Sequence, residues 1–238
     1  KYASIVSEDT SVMKIFNFKN KGFTLAETLI TLVIIGIVAA ITVPVLYANY
    51  TENEKKARVK KAYSTLANAM TFVKADGGDY DFTVTSDEDM GTIRNWYDTY
   101  LKPRLNTTKI CYNQAGCWNS GDTLSLNGSV CRWNAKGIGI GSNIITAALA
   151  DGTLINIDGH RGYNVKSYFK VNTNEEFVMA ISFDINGTRG PNTIGRDIFV
   201  TVFTEDGIVP AYKNATPEEI KNDCSKSGTG YSCINKYL

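Results

Sequence analysis

An uncharged apolar run near the N-terminus constrains this chain more than any other feature of its 238 residues. Leu29 to Leu46 reads LITLVIIGIVAAITVPVL, and Phe23, Leu25 and Ala26 extend the apolar character towards the N-terminus. About 20 apolar residues in a helix span the hydrocarbon core of a bilayer. Glu27 interrupts the extension, and a carboxylate at the centre of such a helix costs roughly 2.5–3.5 kcal/mol, less near its edge. The run therefore predicts a membrane-spanning helix whose carboxylate needs a partner.

A short basic segment precedes the run and forms a specific junction with it. Met13 to Gly22 reads MKIFNFKNKG, which contains lysines and no acidic residue. The junction, KGFTLAETL from Lys21 to Leu29, resembles the processing site of type IV prepilins and of type II secretion pseudopilins. The resemblance extends through Pro44, which falls where many pilins carry a helix-kinking proline.

This resemblance implies how the N-terminus is processed. In that family a membrane aspartyl peptidase cleaves after the glycine and methylates the new amine, which implies cleavage between Gly22 and Phe23 and N-methylation of Phe23. When subunits stack, the ammonium of one chain can meet the Glu27 carboxylate of its neighbour in the apolar core. Loss of one partner would leave a buried charge uncompensated, at a cost of roughly 3–5 kcal/mol. Glu27 and Pro44 are therefore the predicted assembly residues.

Two simpler interpretations of the apolar run explain less of it. A secretory signal peptide ends in a small-residue cleavage site, whereas Val38-Ala39-Ala40 lies inside the run. A plain single-span anchor accounts for the length but leaves Glu27 and the Gly22-Phe23 junction without a reason.

The number of basic residues after the span opposes export of the C-terminal part of the chain. Basic residues favour the cytoplasmic side of a membrane, and five of them follow the span: Lys55, Lys56, Arg58, Lys60 and Lys61. We nevertheless expect export, because the processing motif and the cysteine content both point to an oxidising compartment.

Beyond the span the pattern changes to an amphipathic helix and then to strands. Apolar side chains recur every three or four residues from Val59 to Val73, and Asp76-Gly77-Gly78 is a helix stop. A short helix is predicted around Trp96, ended by Pro103. Strands with turns at Asp151-Gly152 and Asp206-Gly207 are predicted at Ile144–Leu149, Thr153–Ile157, Phe177–Ile185, Ile198–Thr204 and Gly207–Tyr212.

These patterns predict an α+β, pilin-like fold, in which a long N-terminal α-helix, half of it transmembrane, packs against an antiparallel β-sheet head. Residues 1–12 are interpreted as an upstream extension, either a misreading or a fragment end, that is absent from the native protein, because a start at Met13 gives a leader of the usual prepilin kind. The predicted parts are the extension (1–12), the leader (13–22), the transmembrane half-helix (23–48), the amphipathic half-helix (49–76) and the head (77–238).

All five cysteines lie in the second half of the chain, in spacings that match no zinc site, so disulfides are predicted. Many pilins end in a disulfide-bounded loop, and the resemblance implies such a loop between Cys224 and Cys233. Among Cys111, Cys117 and Cys131 the sequence allows three pairs with one thiol left over. We favour a bond from Cys111 or Cys117 to Cys131.

An oxygen-rich loop from Asp184 to Asp197 has two interpretations. Calcium takes six to eight oxygen ligands, and some secretion pseudopilins bind calcium between their last strands. The resemblance thus implies Asp184, Asn186, Thr188 and Asp197 as calcium ligands. EF-hand spacing is absent, and an Asn-Gly turn between two strands explains the loop equally well. No other cofactor is predicted.

Catalytic patterns are scarce, and no catalytic residue is assigned. The sequence lacks a Gly-x-Ser-x-Gly elbow, and His160 is expected in a solvated loop. Gly137-Ile-Gly139-Ile-Gly141 lacks the following helix of a dinucleotide site and is interpreted as a strand or loop. A net charge of +1 argues against general nucleic-acid binding.

We therefore predict a structural subunit, not an enzyme, of a type IV pilus or a type II secretion pseudopilus, polymerised through its N-terminal helix. The alternative is a minor pilin at a filament tip that acts as an adhesion, substrate-binding or DNA-uptake module. The resemblance implies four partners, namely other pilin or pseudopilin subunits, the prepilin peptidase, an inner-membrane assembly platform and the membrane. The implied location is the bacterial inner membrane, single-pass, with the head in the periplasm or outside the cell in a filament.

Overall fold

The computed structural model describes residues 22–78 and 90–238. The predicted extension (1–12) and all of the predicted leader except Gly22 lie outside these residues. The chain divides into two compact units, one up to Asn49 and one from Tyr50 to Leu238.

Helix α1, Leu25–Ala75, runs through both units and confirms the predicted long N-terminal helix. In the first unit its side chains are exposed. In the second unit one stripe is buried at three- and four-residue spacing, as the amphipathic pattern predicts; it consists of Val59, Ala62, Leu66, Ala69, Met70 and Val73.

The predicted stop ends α1. Gly77 has a φ of +79°, a left-handed conformation that favours glycine. Its N–H donates to the Lys74 carbonyl at 3.0 Å, and the Gly78 N–H donates to the Val73 carbonyl at 2.9 Å. These two bonds form a Schellman motif, which satisfies carbonyls that the last helical turn leaves open.

A second helical segment covers the end of α1. Helix α2, Met90–Trp96, continues as a π-turn (Tyr97–Leu101) and a 3₁₀ turn (Lys102–Arg104) before the chain becomes extended. Trp96 is buried, and its indole N–H donates to the Gly78 carbonyl at 2.6 Å. The predicted short helix around Trp96 is therefore present, with Pro103 inside its final turn.

The head contains one six-stranded antiparallel sheet, which confirms the predicted fold class. Its strand order is β1-β4-β5-β6-β7-β8, and β2 and β3 form a separate small hairpin. The strands are β1 Thr107–Tyr112, β2 Asn134–Ala135, β3 Gly139–Ile140, β4 Ile145–Leu149, β5 Leu154–Arg161, β6 Phe177–Asp184, β7 Ile198–Thr204 and β8 Gly207–Pro210.

The sheet is covered on both faces, which the sequence did not predict. Along β6, Met179 and Ile181 belong to the core under α1 and α2, whereas Val178 and Ala180 belong to a second core. The second core is closed by a loop, a π-turn and a 3₁₀ helix, which contribute Trp118, Phe169 and Tyr231 respectively. Nearly every residue of β5, β6 and β7 is buried as a result.

This second layer corrects the expectation for His160. His160 lies in β5, opposite Val178 of β6, and its exposed fraction is 7%. The predicted strand ended at Ile157, but β5 continues to Arg161 because its polar residues find partners under the covering segments. His160 is therefore a buried strand residue and not a solvated loop residue.

Candidate functional site

The start of α1 forms a closed hydrogen-bond pair between Thr24 and Glu27. Glu27 Oε2 accepts hydrogen bonds from the Thr24 N–H and the Thr24 hydroxyl, both at 2.9 Å. The Glu27 N–H donates to Thr24 Oγ1 at 3.2 Å. This is a capping box, in which two otherwise open backbone donors of the helix N-terminus are satisfied reciprocally. The capping box fixes Glu27 in the first turn of α1, which begins two residues after Phe23.

The sequence analysis missed Thr24, although the signal was readable. A threonine followed three residues later by glutamate, ahead of an apolar run, is the signature of a capping box. The same motif is present near the C-terminus, where Thr216 and Glu219 cap the helix Pro217–Asp223.

The apolar half of α1 is exposed along its whole described length. Phe23 is 84% exposed, and the large apolar side chains from Leu25 to Leu46 are between 54% and 80% exposed. One helix of the described chain is long and apolar enough to cross a membrane by length and composition, with a mean hydropathy of 2.8. Apolar surface on this scale requires lipid or protein to cover it.

The polar side chains within this half are satisfied by the helix itself. Thr28, Thr31 and Thr42 donate their hydroxyl protons to backbone carbonyls three or four residues earlier, at 2.8–2.9 Å. Internal satisfaction of polar groups is the condition for placing a helix in an apolar medium. Pro44 lies inside α1 and has no N–H, so the helix lacks one backbone hydrogen bond there.

The described residues impose no packing requirement on Gly22. A Cβ built at Gly22 would meet none of their atoms within 4 Å, so this part of the structure leaves room for a side chain.

The same N-terminal segment is found in known proteins. Residues 17–43 match the family described as the prokaryotic N-terminal methylation motif. The chain is also 33% identical over 99 residues to the type IV major pilin protein PilA of Myxococcus xanthus strain DK1622, a match that covers 35% of this chain. The N-terminal segment of the chain is therefore similar to that of type IV pilins.

The match spans 45% of the Myxococcus protein, so this chain covers less than half of that relative's length. No solved structure is significantly similar to the chain. The family-model match lies at the start of α1 and in the residues before it.

The C-terminal loop is closed by a bond between Cys224 and Cys233. Asp223 directly precedes the loop, and its carboxylate accepts hydrogen bonds from two loop residues, the Thr229 N–H at 3.1 Å and the Ser232 N–H at 2.7 Å. Burial of Cys233 and Ile234 in the core joins the loop to the sheet.

The other pairing corrects the sequence analysis. Cys111 bonds Cys117, and Cys131 is a buried free thiol, so the favoured bond to Cys131 is wrong. Cys111 lies in strand β1, which was not predicted. A tight loop follows the strand and brings Cys117 back to Cys111. Cys131 lies 3.5 Å from the Tyr231 hydroxyl, and burial raises the pKa of its thiol.

The oxygen-rich loop brings three of the four predicted ligands close together in the head. Asp184 and Asp197 are buried, and Asn186 bridges them: its N–H donates to Asp184 at 2.9 Å and its side-chain amide donates to Asp197 at 3.2 Å. Burial and the Asp197 charge raise the pKa of Asp184 to about 7. Thr188 is exposed and has no contact of this kind in the described residues.

Two further residues of this loop site were missed. The Asn119 amide donates to Asp184 at 2.8 Å, and the Asn192 N–H donates to Asp197 at 2.8 Å. The side-chain oxygens of Asn119, Asn186 and Asn192 are buried without a hydrogen-bond donor in the described chain. No group of three His, Cys, Asp or Glu residues gathers in residues 22–78 and 90–238. The donor set is therefore two carboxylates with amide oxygens around them.

Proposed function

We propose that this chain is a structural subunit of a type IV pilus or a type II secretion pseudopilus, polymerised through the apolar half of α1. The observation that carries the proposal is the complete exposure of this half-helix in a chain with a prepilin-type junction. Burial of apolar surface stabilises an assembly by roughly 25 cal/mol per Å². A bundle of such helices would bury the surface that a single chain leaves open.

The start of α1 supports cleavage between Gly22 and Phe23. Gly22 and Phe23 are exposed and precede the helix, so a peptidase can reach the bond between them. The absence of a packing requirement for Gly22 favours recognition by that enzyme as the reason for the glycine. Cleavage creates an ammonium at Phe23, which remains cationic after N-methylation.

Glu27 would then change partners during assembly. Among the described residues its carboxylate binds Thr24, which satisfies the hydrogen bonds, and it meets no cationic group there. In an apolar bundle an isolated charge is costly, whereas a paired charge is tolerated. The Phe23 ammonium of a neighbouring subunit supplies that pair, and the pairing would set the register of the stack.

The proposed partners are other pilin or pseudopilin subunits, the prepilin peptidase and an inner-membrane assembly platform. Before assembly the chain would cross the bacterial inner membrane once, with its head in the periplasm. Disulfides in the head fit an oxidising compartment.

The experiment that tests this proposal is mass spectrometry of the N-terminus, on protein from native membranes. A mature chain that begins at N-methylated Phe23 is the expected result. An intact leader, or cleavage near Ala40 or Ala48, would contradict the proposal and indicate an anchored or secreted domain.

Calcium in the Asp184 loop is part of the proposed function. Among the described residues neither Asp184 nor Asp197 forms a salt bridge, so two close buried carboxylates lack a compensating cation. The unpartnered oxygens of Asn186 and Asn192 are hard ligands of the kind that calcium takes. The residues thus fit a calcium ion, which would neutralise the carboxylates and fix the β6–β7 connection.

A further inference from the structure

A basic cleft lies between the first head-side turns of α1 and the β6–β7 connection. It has a volume of about 450 Å³, and residues of both segments line it. Four of the lining residues are cationic and two are acidic: Lys55, Arg58, Arg189 and Arg196 against Glu54 and Asp197. All of them belong to the unit that starts at Tyr50.

Both acidic side chains of the cleft accept hydrogen bonds from other residues of the head. Glu54 accepts two hydrogen bonds from Arg58, at 2.8 and 3.0 Å. Asp197 accepts backbone hydrogen bonds from Asn192 at 2.8 Å and Thr193 at 2.6 Å. Lys55 is paired with Glu52 and Arg58 with Glu54, so Arg189 and Arg196 face the single carboxylate of Asp197 and the cleft keeps a net positive charge.

Those two arginines are exposed and available. Arg189 donates to the Asn186 carbonyl at 3.3 Å through Nε, and its two terminal nitrogens have no partner within residues 22–78 and 90–238. Arg196 forms no salt bridge with any residue of the described ranges. A guanidinium presents paired donors that match the oxygens of a phosphate group.

The position of the cleft along α1 favours the phosphate of a lipid headgroup. Tyr50 is 67% exposed, and tyrosine concentrates at the boundary between lipid tails and headgroups. Lys55 follows Tyr50 by about 7.5 Å along the helix, at 1.5 Å per residue. The headgroup layer beyond the hydrocarbon is roughly 5–8 Å thick on each side. Lys55 therefore lies at headgroup level.

We propose that this cleft binds the phosphate of an anionic phospholipid headgroup, in the leaflet on the head side of the membrane. The inference rests on membrane insertion in the proposed function but not on polymerisation. It gives the basic residues after the span a reason other than topology, since juxtamembrane cations are attracted to anionic lipid. A bound lipid would hold the head against the membrane before the subunit leaves it.

The test uses the full chain from native membranes, reconstituted in nanodiscs with equal amounts of phosphatidylglycerol and phosphatidylcholine. Native mass spectrometry counts the lipids of each kind that remain on the protein. The double variant Arg189→Gln/Arg196→Gln removes the two open guanidiniums, and Lys221→Gln/Lys226→Gln removes two exposed charges elsewhere. Thermal unfolding of each variant checks that the head is intact, and Lys55→Gln replaces the double variant if it is not.

We expect phosphatidylglycerol to be retained in preference to phosphatidylcholine, with the preference falling about tenfold in the arginine variant and unchanged in the lysine variant. Equal retention of the two lipids by the unchanged chain would overturn the proposal, as would a preference that survives the arginine variant. Loss of the preference in millimolar inorganic phosphate would assign the cleft to a free anion and also overturn it. Because the readout needs no filament, failure of assembly and failure of lipid binding are separate results.

Discussion

The Glu27 carboxylate and Thr24 close the first turn of α1, with Oε2 at 2.9 Å from both the Thr24 nitrogen and the Thr24 hydroxyl. The contact is local and needs no second chain. A single subunit can therefore hold Glu27 in a helical conformation beside Phe23, ready for a cation that only the assembled state would supply.

Glu27→Ala should separate processing from assembly. Cleavage should persist, because Gly22 and Phe23 remain exposed ahead of the helix. Filament formation should fail, because the neighbouring ammonium would be buried without a partner, at a cost of roughly 3–5 kcal/mol. Immunoblots report the mature size, and electron microscopy reports filaments.

The control variants for this test distinguish the two roles of Glu27. Thr24→Ala removes the cap, worth about 1 kcal/mol of helix stability, and keeps the Glu27 charge, so filaments should still form. Glu54→Ala removes an exposed α1 carboxylate that pairs with Arg58 and should assemble normally. Normal filaments from Glu27→Ala would refute the proposed pairing with the amine.

The disulfide assignment predicts a specific peptide map. Chymotryptic cleavage after Tyr112 and Trp118 separates the three cysteines of the first half of the head. The unreduced digest should contain Cys111 linked to Cys117, and Cys131 should react with an alkylating reagent only after unfolding, because it is buried. A linked peptide that contains Cys131 would show that the assignment is wrong.

Removal of the C-terminal disulfide should destabilise the head. The bond between Cys224 and Cys233 closes a short loop, for which chain entropy gives roughly 2–3 kcal/mol. Cys224→Ser/Cys233→Ser should therefore lower the free energy of unfolding by about this amount in urea titrations. Cys131→Ala, which breaks no disulfide, is the control for sensitivity to reducing agent, and this sensitivity should persist in it.

Calcium should stabilise the head through the Asp184 loop. At a hundred times its Kd a ligand of the folded state adds about 2.7 kcal/mol, or about 5–10 °C in Tm for a domain of this size. Asp184→Asn should abolish the calcium-dependent rise in Tm, whereas Asp151→Asn, which removes a carboxylate paired with Lys61, should keep it. A Tm that does not respond to calcium or to EGTA would exclude the site.

Helices and strands with a regular spacing of apolar residues could be predicted from the sequence. The buried stripe of α1 has helical spacing, and the five predicted strands coincide with apolar runs bounded by turns. Strand β1 escaped prediction because Thr107–Tyr112 lies at the sheet edge and is mostly polar and partly exposed. An edge strand of this composition resembles a loop when only its sequence is considered.

Features that depend on distant contacts could not be predicted. Asn119 meets Asp184 across 65 residues of sequence, and no spacing rule joins them. Burial of His160 depends on the segments that cover the second face of the sheet, where its Nε2 lies 3.1 Å from Asp158 Oδ2 and its ring packs near Trp133. Such pairings follow from the completed fold.

The glycine pattern before β4 has a steric reason that mutation can test. A Cβ at Gly141 would lie 2.1 Å from Asp158 Oδ2, and φ at this position is +128°. Both the contact and the backbone conformation oppose a side chain. Gly141→Ala should therefore lower the free energy of unfolding by more than 2 kcal/mol, roughly the upper part of the range for single substitutions.

Gly128 provides the matched control, because its φ is +85° but a Cβ there would meet no atom within 4 Å. Gly128→Ala should cost only the backbone strain, about 1–2 kcal/mol. Urea titrations of the two variants isolate the contact with Asp158 as their difference. Equal losses would mean that β5 can move away from Gly141, and that the close approach of Asp158 does not explain the glycine.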